Sequence, residues 1–425
     1  MFLLRTQEKG SVSFTNCNFD GVLGILQTYA KSVASFDKCN FRNIQKDAFF
    51  LSSDETCTFN KCKAEIYGGS FITLRGASKC NIESCSFKGI FVGESYYDEE
   101  EYNKALKDFE EKRKELSEKN KYSELFIGDA LIEKMSATEQ TINIVDCGDC
   151  SVLQANKCNF IDQTISIVAT DKANVSLLDC KFKKAITTIA VASSSVANIY
   201  SSTFQNGERP YVYCTDDAKA NIYDSTFKGC EVAAVFASDK SDISIYDSTV
   251  TKNQSHGILA IDDAHIKVHN CEVSYNRAAG IHADNKAKGE VSKCRIFDND
   301  IFNLLICGDS DFSFENNDIH YKQEKIKDFC VAVICVQDKA KAYFENNRIS
   351  GIDNLYNAFH LTDNCDVFVK ECKIKKVDLM ALLNDSSKLY LKDCEMDLPT
   401  ENVAKGQEHS EFNMVGCDII HSSRN

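Results

Sequence analysis

The chain has 425 residues, of which 49 are Lys or Arg and 63 are Asp or Glu, so its formal net charge is −14. This acidic balance argues against a nucleic-acid partner, because affinity for phosphate backbones comes largely from clustered Lys and Arg. No run approaches the roughly 18 apolar residues of a bilayer-spanning helix, which argues against membrane insertion, and residues 1–7 lack the flanks of a signal peptide.

A repeat of 22 or 23 residues organises the chain, as expected of a solenoid. It is marked by sixteen positions that we call the anchors: Cys17, Cys39, Cys62, Cys85, Cys158, Cys180, Ser202, Ser225, Ser248, Cys271, Cys294, Asn317, Asn347, Cys372, Cys394 and Cys417. Steps of 73, 30 and 25 residues break the spacing, and the step of 73 indicates a large insertion in one repeat.

Around each anchor, apolar residues are spaced in twos, which is the period of strands and not of helices. The residue two after the anchor is Phe, Ile, Val or Met in fifteen repeats, and the residue three before it is apolar or, at Ala155, small. We expect three short strands per repeat, stacked about 4.8 Å apart around a continuous core. The chain is therefore predicted to be all-β: a single-stranded, right-handed parallel β-helix of about 16 coils, formed by residues 1–93 and 141–425.

Two consecutive segments carry a resemblance to a known family. Residues 256–262, HGILAID, and residues 266–276, IKVHNCEVSYN, resemble the right-handed parallel β-helix repeats of pectate-lyase-like enzymes, of alginate epimerases and of the non-catalytic β-helix in some F-box adaptor proteins. The last of these is closest in character, and the resemblance covers all but the insertion. It implies the fold strongly and the function weakly, because one fold can host many chemistries.

The insertion, residues 94–140, holds 14 acidic and 8 basic residues. Its acidic start at residues 98–101 favours a helix N-terminus. Four residues at helical spacing form what we call the insertion face: Tyr102, Leu106, Phe109 and Leu116. We predict a charged helix that packs on the outside of the β-helix through this face; a free, solvated helix is the alternative.

The outward position of the first strand lies twelve residues before the anchor, and from coil five to coil twelve it is mostly hydrocarbon. We call the following residues the outer apolar stripe: Val168, Tyr213, Phe236, Leu259, Ile261 and Leu305. Monomers rarely leave large apolar patches exposed. We therefore expect the insertion or a partner protein to cover the stripe; scattered apolar surface residues are the alternative.

The resemblance also implies where an active site would lie. In the enzymes of this family it is outside the first strand of adjacent coils, where acidic, basic and metal-ligating side chains converge. No residues here match that pattern, so we assign no catalytic residues and predict that the chain is not an enzyme. A carbohydrate-active enzyme (polysaccharide lyase, glycosidase or epimerase) or a sugar-binding module of the same fold is the rival interpretation.

Two further columns recur outside the core. An aspartate stands nine residues before eight anchors, as in Asp171 and Asp262, which favours turn capping over a calcium site. Aromatic rings two before the anchor, as in Tyr200 and Tyr223, should stack on the exterior, either as a ladder that stabilises the strands or as a platform for sugar.

The cysteine pattern predicts thiols and no metal. Residues 147–150, CGDC, form a lone CxxC with no second pair at zinc spacing. Stacked anchors should lie near 4.8 Å apart, beyond the roughly 3.8 Å between the Cβ atoms of a disulfide. Free thiols favour a reducing compartment, which points to the cytoplasm.

These observations predict a non-enzymatic scaffold with no cofactor and no metal. It is expected to be a rigid rod that mediates protein–protein interactions within a cytoskeletal or other large assembly. The predicted partners are other proteins, which bind the amino-terminal coil and the outer apolar stripe.

Overall fold

The computed structural model describes residues 3–6, 8–22, 24–45, 47–90, 142–322, 332–352, 356–399, 403–407 and 409–420. These residues form two compact units that divide near residue 240: residues 3–236 with 240–243, and residues 237–239 with 244–420. The described residues are all strand, turn and irregular structure, and they contain no helix long and apolar enough to cross a membrane.

In the first unit every complete coil contributes one strand to each of three parallel sheets. Sheet 1 holds Leu4–Thr6, Leu26–Thr28, Phe49–Leu51, Gly69–Leu74, Ile142–Cys147, Ile165–Ala169, Thr187–Val191 and Val212–Cys214. Sheet 2 holds Ser11–Thr15, Val33–Asp37, Thr56–Asn60, Lys79–Glu83, Val152–Asn156, Asn174–Leu178, Val196–Tyr200 and Lys219–Tyr223. Sheet 3 holds Asn18–Asp20, Asn40–Ile44, Lys63–Ile66, Ser86–Gly89, Asn159–Ile161, Lys181–Lys183, Thr203–Gln205 and Thr226–Lys228.

The second unit repeats the arrangement. Its part of sheet 1 holds Ile258–Ala260, Ala279–Ala283, Phe302–Ile306, Ala332–Val336, Asn357–Leu361, Ala381–Leu383 and Ala404–Gly406. Its part of sheet 2 holds His265–His269, Lys288–Ser292, Asp311–Glu315, Lys341–Glu345, Asp366–Lys370, Lys388–Lys392 and Glu411–Val415. Its part of sheet 3 holds Thr249–Thr251, Glu272–Ser274, Arg295–Phe297, Asp318–His320, Arg348–Ser350, Lys373–Lys375, Glu395–Asp397 and Asp418–Ile420. The strands Val235–Ala237 and Asp242–Tyr246 lie where the two units divide.

The predicted right-handed parallel β-helix is confirmed, with three strands per coil and each strand paired in parallel with the equivalent strand of the next coil. The inward phenylalanine rings of successive coils stack face to face. Phe182 lies 4.8 Å from Phe204, centroid to centroid, and Phe204 lies 4.6 Å from Phe227, with interplanar angles of 6° and 11°. Phe204 and Phe227 are completely buried. Burial of these columns supplies the core that a single coil could not form.

The turn between sheets 2 and 3 explains the anchor residues. The residue before each anchor has a positive φ, for example Lys61 at 52° and Ser84 at 55°, so the chain bends sharply there. The N–H of Cys62 then donates to Sγ of Cys85 one coil later, with 3.2 Å between the atoms. Ser202 and Ser225 repeat this bond at 3.1 Å. Cys, Ser and Asn share the column because each is small and carries a hydrogen-bonding atom at the position the bend requires.

Candidate functional site

The candidate site is the outward column of sheet 1, and the alternation of each strand defines it. Ile258 and Ala260 point into the core with no exposed surface, so Leu259 between them points outward. Parallel register extends the column through the second unit, from Leu259 through His282, Leu305, Cys335 and His360 to Leu382. In the first unit it runs from Asp146 through Val168 and Ala190 to Tyr213.

The residues of the outer apolar stripe differ in burial. Val168, Tyr213 and Ile261 are half-buried. Phe236, Leu259 and Leu305 are buried, with 4%, 1% and 2% of their surface exposed, although they lie on the outer side of the sheet. Ile261 follows its strand and lies at the start of the turn, so it belongs to the rim of the stripe.

Leu305 belongs to an apolar cluster of buried residues in and beside the strands of sheet 1. All members are 7% exposed or less: Ala278, Ala279, Ile301, Phe302, Leu305, Cys307, Ala332 and Cys335. Ala278 and Ile301 come from the turns that precede two strands of sheet 1, and most of the others lie in the strands themselves. The outer side of this sheet is therefore an apolar packing surface in its own right.

The polar members of the column in the second unit are neutral histidines. Burial, together with the neighbouring ring of His256, lowers the pKa of His282 well below its ordinary value. Burial lowers the pKa of His360 to about 4, and its Nε2 lies 3.1 Å from Nδ2 of Asn384. At neutral pH neither ring carries a charge that could hold an acidic sugar or stabilise a developing anion.

One charged pair does lie at this column, and the sequence analysis did not find it. The guanidinium of Arg75 donates to both carboxylate oxygens of Asp146, at 3.1 and 2.9 Å. The bond to Asp146 raises the pKa of Arg75. The ion pair joins two neighbouring coils across the 73-residue step, and the nearby carboxylate of Asp149 also raises the pKa of Arg75.

The aspartate column caps turns, but it does so in the neighbouring coil. The N–H of Asp149 donates to Oδ2 of Asp171 at 3.0 Å, and the N–H of Gly308 donates to Oδ2 of Asp338 at 2.9 Å. We predicted capping of each residue's own turn, whereas the side chain accepts from the equivalent residue one coil earlier. A positive φ at these aspartates turns the amide toward the next carboxylate. No metal-holding group of three His, Cys, Asp or Glu forms within the described ranges.

The predicted outer aromatic column stacks only in part on sheet 2, because the rings of Tyr246 and His269 are 6.1 Å apart and tilted by 52°. The rings of Tyr200 and Tyr223 are 5.2 Å apart with an interplanar angle of 9°. A second ladder, which the sequence analysis missed, joins Tyr343, Phe368 and Tyr390 at 5.1 and 4.9 Å. Within a ladder each ring covers the face of the next, so the rings present mainly their edges outward. That geometry favours strand stabilisation over a platform for sugar rings.

The remaining candidates concern thiols and the insertion. All cysteines in the described part of the chain are free thiols. Burial raises the pKa of Cys147 well above its ordinary value, so the first thiol of the CxxC segment is neither a thiolate nucleophile nor ready to bind zinc.

The insertion face, Tyr102, Leu106, Phe109 and Leu116, lies outside the described residues.

Comparisons with known proteins agree with this architecture. Residues 210–325 match the family model described as a right handed beta helix region. A chain of the Vag8–C1 inhibitor complex, solved by cryo-electron microscopy, is 9% identical with a TM-score of 0.55, covering 96% of this chain and 100% of that one. The A-module of the Azotobacter vinelandii mannuronan C-5 epimerase AlgE6 is 9% identical with a TM-score of 0.45, covering 92% of each chain. A search of curated proteins finds no match to the sequence.

The family-model match, the likeness to the chain of the Vag8–C1 inhibitor complex and the three parallel sheets define the class of protein by its fold: a right-handed parallel β-helix. At 9% identity they carry no activity over to this chain.

Proposed function

We propose that this protein is a non-enzymatic scaffold, a β-helix that binds other proteins through the outer side of sheet 1. The observation that carries the proposal is the outward column itself. In the first unit its apolar members Val168 and Tyr213 are only half-buried, whereas in the second unit Leu259 and Leu305 are already buried within the chain. Such a surface suits packing against protein and offers little to a charged substrate.

Two further proposals concern partners and compartment. The amino-terminal coil is a second contact surface, because Leu3 is 60% exposed and the inward Val12 and Phe14 are only half-buried. The cytoplasm, as part of a cytoskeletal or other large assembly, is the proposed location. Free thiols throughout the described coils support a reducing compartment.

A charge-insertion experiment tests the scaffold. Val168→Lys with Tyr213→Lys places two charges on the half-exposed part of the stripe, and Asn198→Lys with Asn221→Lys places them on the outer side of sheet 2. We expect the stripe variant to lose the proteins that co-purify with the native chain and the control variant to keep them. Equal retention by both variants, with normal folding, contradicts the proposal.

The rival function, cleavage or epimerisation of an acidic polysaccharide, has one observation on its side, the Arg75–Asp146 pair at the same column. A direct assay separates the two functions. Incubation with polyuronates should give neither unsaturated products nor a change in uronate composition, and Asp146→Asn should behave like the native chain. Turnover that is lost in Asp146→Asn would establish the rival.

A further inference from the structure

A groove of about 680 Å³ lies on the outer side of sheet 3 in the second unit. Its floor is formed by the strands Asp318–His320, Arg348–Ser350, Lys373–Lys375 and Glu395–Asp397, with turn residues Tyr321, Lys322, Ile352 and Lys376 at one side. The size falls in the range of roughly 300–1,000 Å³ that is usual for small-molecule sites. The groove lies on a different sheet from the outer apolar stripe.

The groove occurs where the repeat is irregular. Asn317 and Asn347 are consecutive anchors 30 residues apart, and Asn347 and Cys372 are 25 apart, whereas other steps are 22 or 23. The core does not require the additional residues, since the anchors still bond across both steps. In repeat proteins such insertions collect on one face, which is often the binding face.

The charge of the groove is opposite to that of the chain. Its lining includes five cations, Lys322, Arg348, Lys373, Lys375 and Lys376, and three carboxylates, Asp318, Glu395 and Asp397, a local balance of 5 − 3 = +2. The whole chain has a balance of −14. A net positive groove on an acidic protein requires an explanation that overall composition does not give.

Cross-strand charge pairs in the second unit are mixed: one outward column of sheet 2 alternates in sign, whereas the other pairs Glu315 with Glu345 and Lys370 with Lys392. One outward column of sheet 2 alternates in sign at every step: Lys288, Asp311, Lys341, Asp366, Lys388 and Glu411. In the groove, Arg348 and Lys373 are direct cross-strand neighbours of like charge. Like charges directly opposite each other destabilise a sheet, so the Arg348–Lys373 pair adds positive charge to the groove at a cost in stability.

Three of the cations are available to a ligand. Lys373 is engaged by Glu395 at 2.7 Å, and Lys322 lies 3.7 Å from the centroid of the Phe297 ring. Arg348, Lys375 and Lys376 are exposed and form no close ion pair among the described residues, although Arg348 lies opposite Asp318 and Lys375 lies opposite Asp397 on the neighbouring strands. A guanidinium beside two ammonium groups is the combination that binds tetrahedral oxyanions.

We propose that this groove binds a small molecule carrying a phosphate monoester. A phosphate monoester has a charge of about −1.5 to −2 at neutral pH, which matches the local balance, whereas a carboxylate brings half as much. Arg348, Lys375 and Lys376 hold the phosphate, and the side chains of Ile352 and Ile420 at the edge of the groove contact the apolar part of the ligand.

Calorimetric titration of the full chain with phenyl phosphate tests the proposal, with phenyl sulfate and phenol as matched probes. Phenyl sulfate keeps the tetrahedral group with a single charge, and phenol lacks the group. We expect phenyl phosphate to bind at least tenfold more tightly than phenyl sulfate and phenol to show no binding. Absence of phenyl phosphate binding, or equal binding of the sulfate, overturns the proposal.

Matched variants locate the site. Lys375→Ala with Lys376→Ala should lower the affinity for phenyl phosphate at least tenfold. Arg348→Gln alone should lower it by a similar factor, and this single variant keeps the proposal testable if the double variant does not fold. Lys181→Ala with Lys183→Ala removes the same charge from exposed positions of sheet 3 in the first unit and should change affinity less than twofold. Equal losses in the two double variants would mean general charge attraction and overturn the proposal. Because the groove and the stripe are on different sheets, this result is independent of the scaffold experiment.

Discussion

At the scale of single residues, the anchor column shows how one side-chain requirement fixes a repeat. The bend before each anchor leaves a backbone N–H that needs an acceptor from the next coil. The Cys85 thiol, the Ser225 hydroxyl and the Asn317 amide each supply one, at 3.2, 3.1 and 2.8 Å. The column therefore holds Cys, Ser and Asn, three small residue types that each offer an acceptor.

Exchange of one anchor tests this account. Cys85→Ser keeps an acceptor for the buried N–H of Cys62, so we expect the free energy of unfolding to change by less than about 1 kcal/mol. Cys85→Ala leaves that donor unsatisfied and should cost about 1–3 kcal/mol. Urea denaturation of the two variants measures the difference. Equal stability of the alanine and serine variants would show that the anchor serves only to fill space.

The inward phenylalanine stack gives a second residue-scale prediction. Phe204 is fully buried between Phe182 and Phe227, so Phe204→Ala should leave a cavity and cost about 3–5 kcal/mol of unfolding free energy. Leu178→Ala is the control, since that side chain is 46% exposed, and it should cost less than about 1 kcal/mol. A small loss at Phe204 in urea denaturation would contradict its place in the core.

At this scale the sequence predicts which side chains point inward, but not which hydrogen bonds join one coil to the next. Period-two spacing around the anchors identified Phe204 as inward, because hydrophobic burial leaves a direct mark on sequence. It could not predict that Cys85 accepts from Cys62 or that Asp171 accepts from Asp149. Those bonds depend on positive φ values at turn residues such as Ser84, which spacing alone does not report.

At the scale of elements, the outward column of sheet 1 was predictable and its charged neighbours were not. A fixed offset from the anchor places Leu259 and Leu305 on one side of one sheet. Arg75 meets Asp146 only because the fold closes a 73-residue step into one coil spacing. Tyr343 and Phe368 were missed because their ladder lies four residues before the anchor, whereas the predicted one lies two before it.

The buried histidines of this column give the chain a pH-dependent stability. His360 has a folded-state pKa of about 4 against an ordinary value near 6.5. The unfolded chain therefore binds the proton more tightly, and the unfolding free energy is highest above pH 6.5 and falls as the pH drops toward 4. The full contribution is about 3 kcal/mol for this group. His282 shifts in the same direction and adds to the loss.

Variants separate His360 from general acid effects. His360→Gln should flatten the decrease between pH 6.5 and 4, measured as urea midpoints across that range. The exposed His409 serves as the control, and His409→Gln should keep the native slope. An unchanged slope in His360→Gln would show that this ring is not a source of the acid sensitivity.

At the scale of the whole molecule, the features that distinguish this solenoid from a regular one lie where its repeat is interrupted. The step of 73 residues carries the insertion, and the steps of 30 and 25 border the groove of sheet 3. Regular coils supply stability through stacked columns, whereas departures from regularity are free to carry function. The sequence shows the positions of the departures, but the shape of a groove depends on backbone geometry that the repeat does not encode.

Docking of the insertion on the outer apolar stripe would remove hydrocarbon from water. If the insertion face packs on the outer apolar stripe, then deletion of residues 98–122 should expose hydrocarbon and raise the fluorescence of an apolar dye such as ANS. A full-length variant with Ser at Tyr102, Leu106, Phe109 and Leu116 should give the same rise. Unchanged fluorescence in both proteins would contradict docking of the insertion on the stripe.

The last prediction concerns the amino-terminal coil. The inward side chains Val12 and Phe14 are half-buried, whereas the equivalent Phe36 of the next coil is 1% exposed. A partner protein that covered this coil would bury those side chains and shield the amides of Ser11–Thr15 from water. Amide hydrogen exchange at residues 3–20 should therefore be slower in the native assembly than in the isolated chain, by at least tenfold. Exchange at Asn174–Leu178, which is paired on both sides, should be the same in the two samples and serves as the internal control. Equally fast exchange of residues 3–20 in both samples would show that the coil is loose and that no partner covers it.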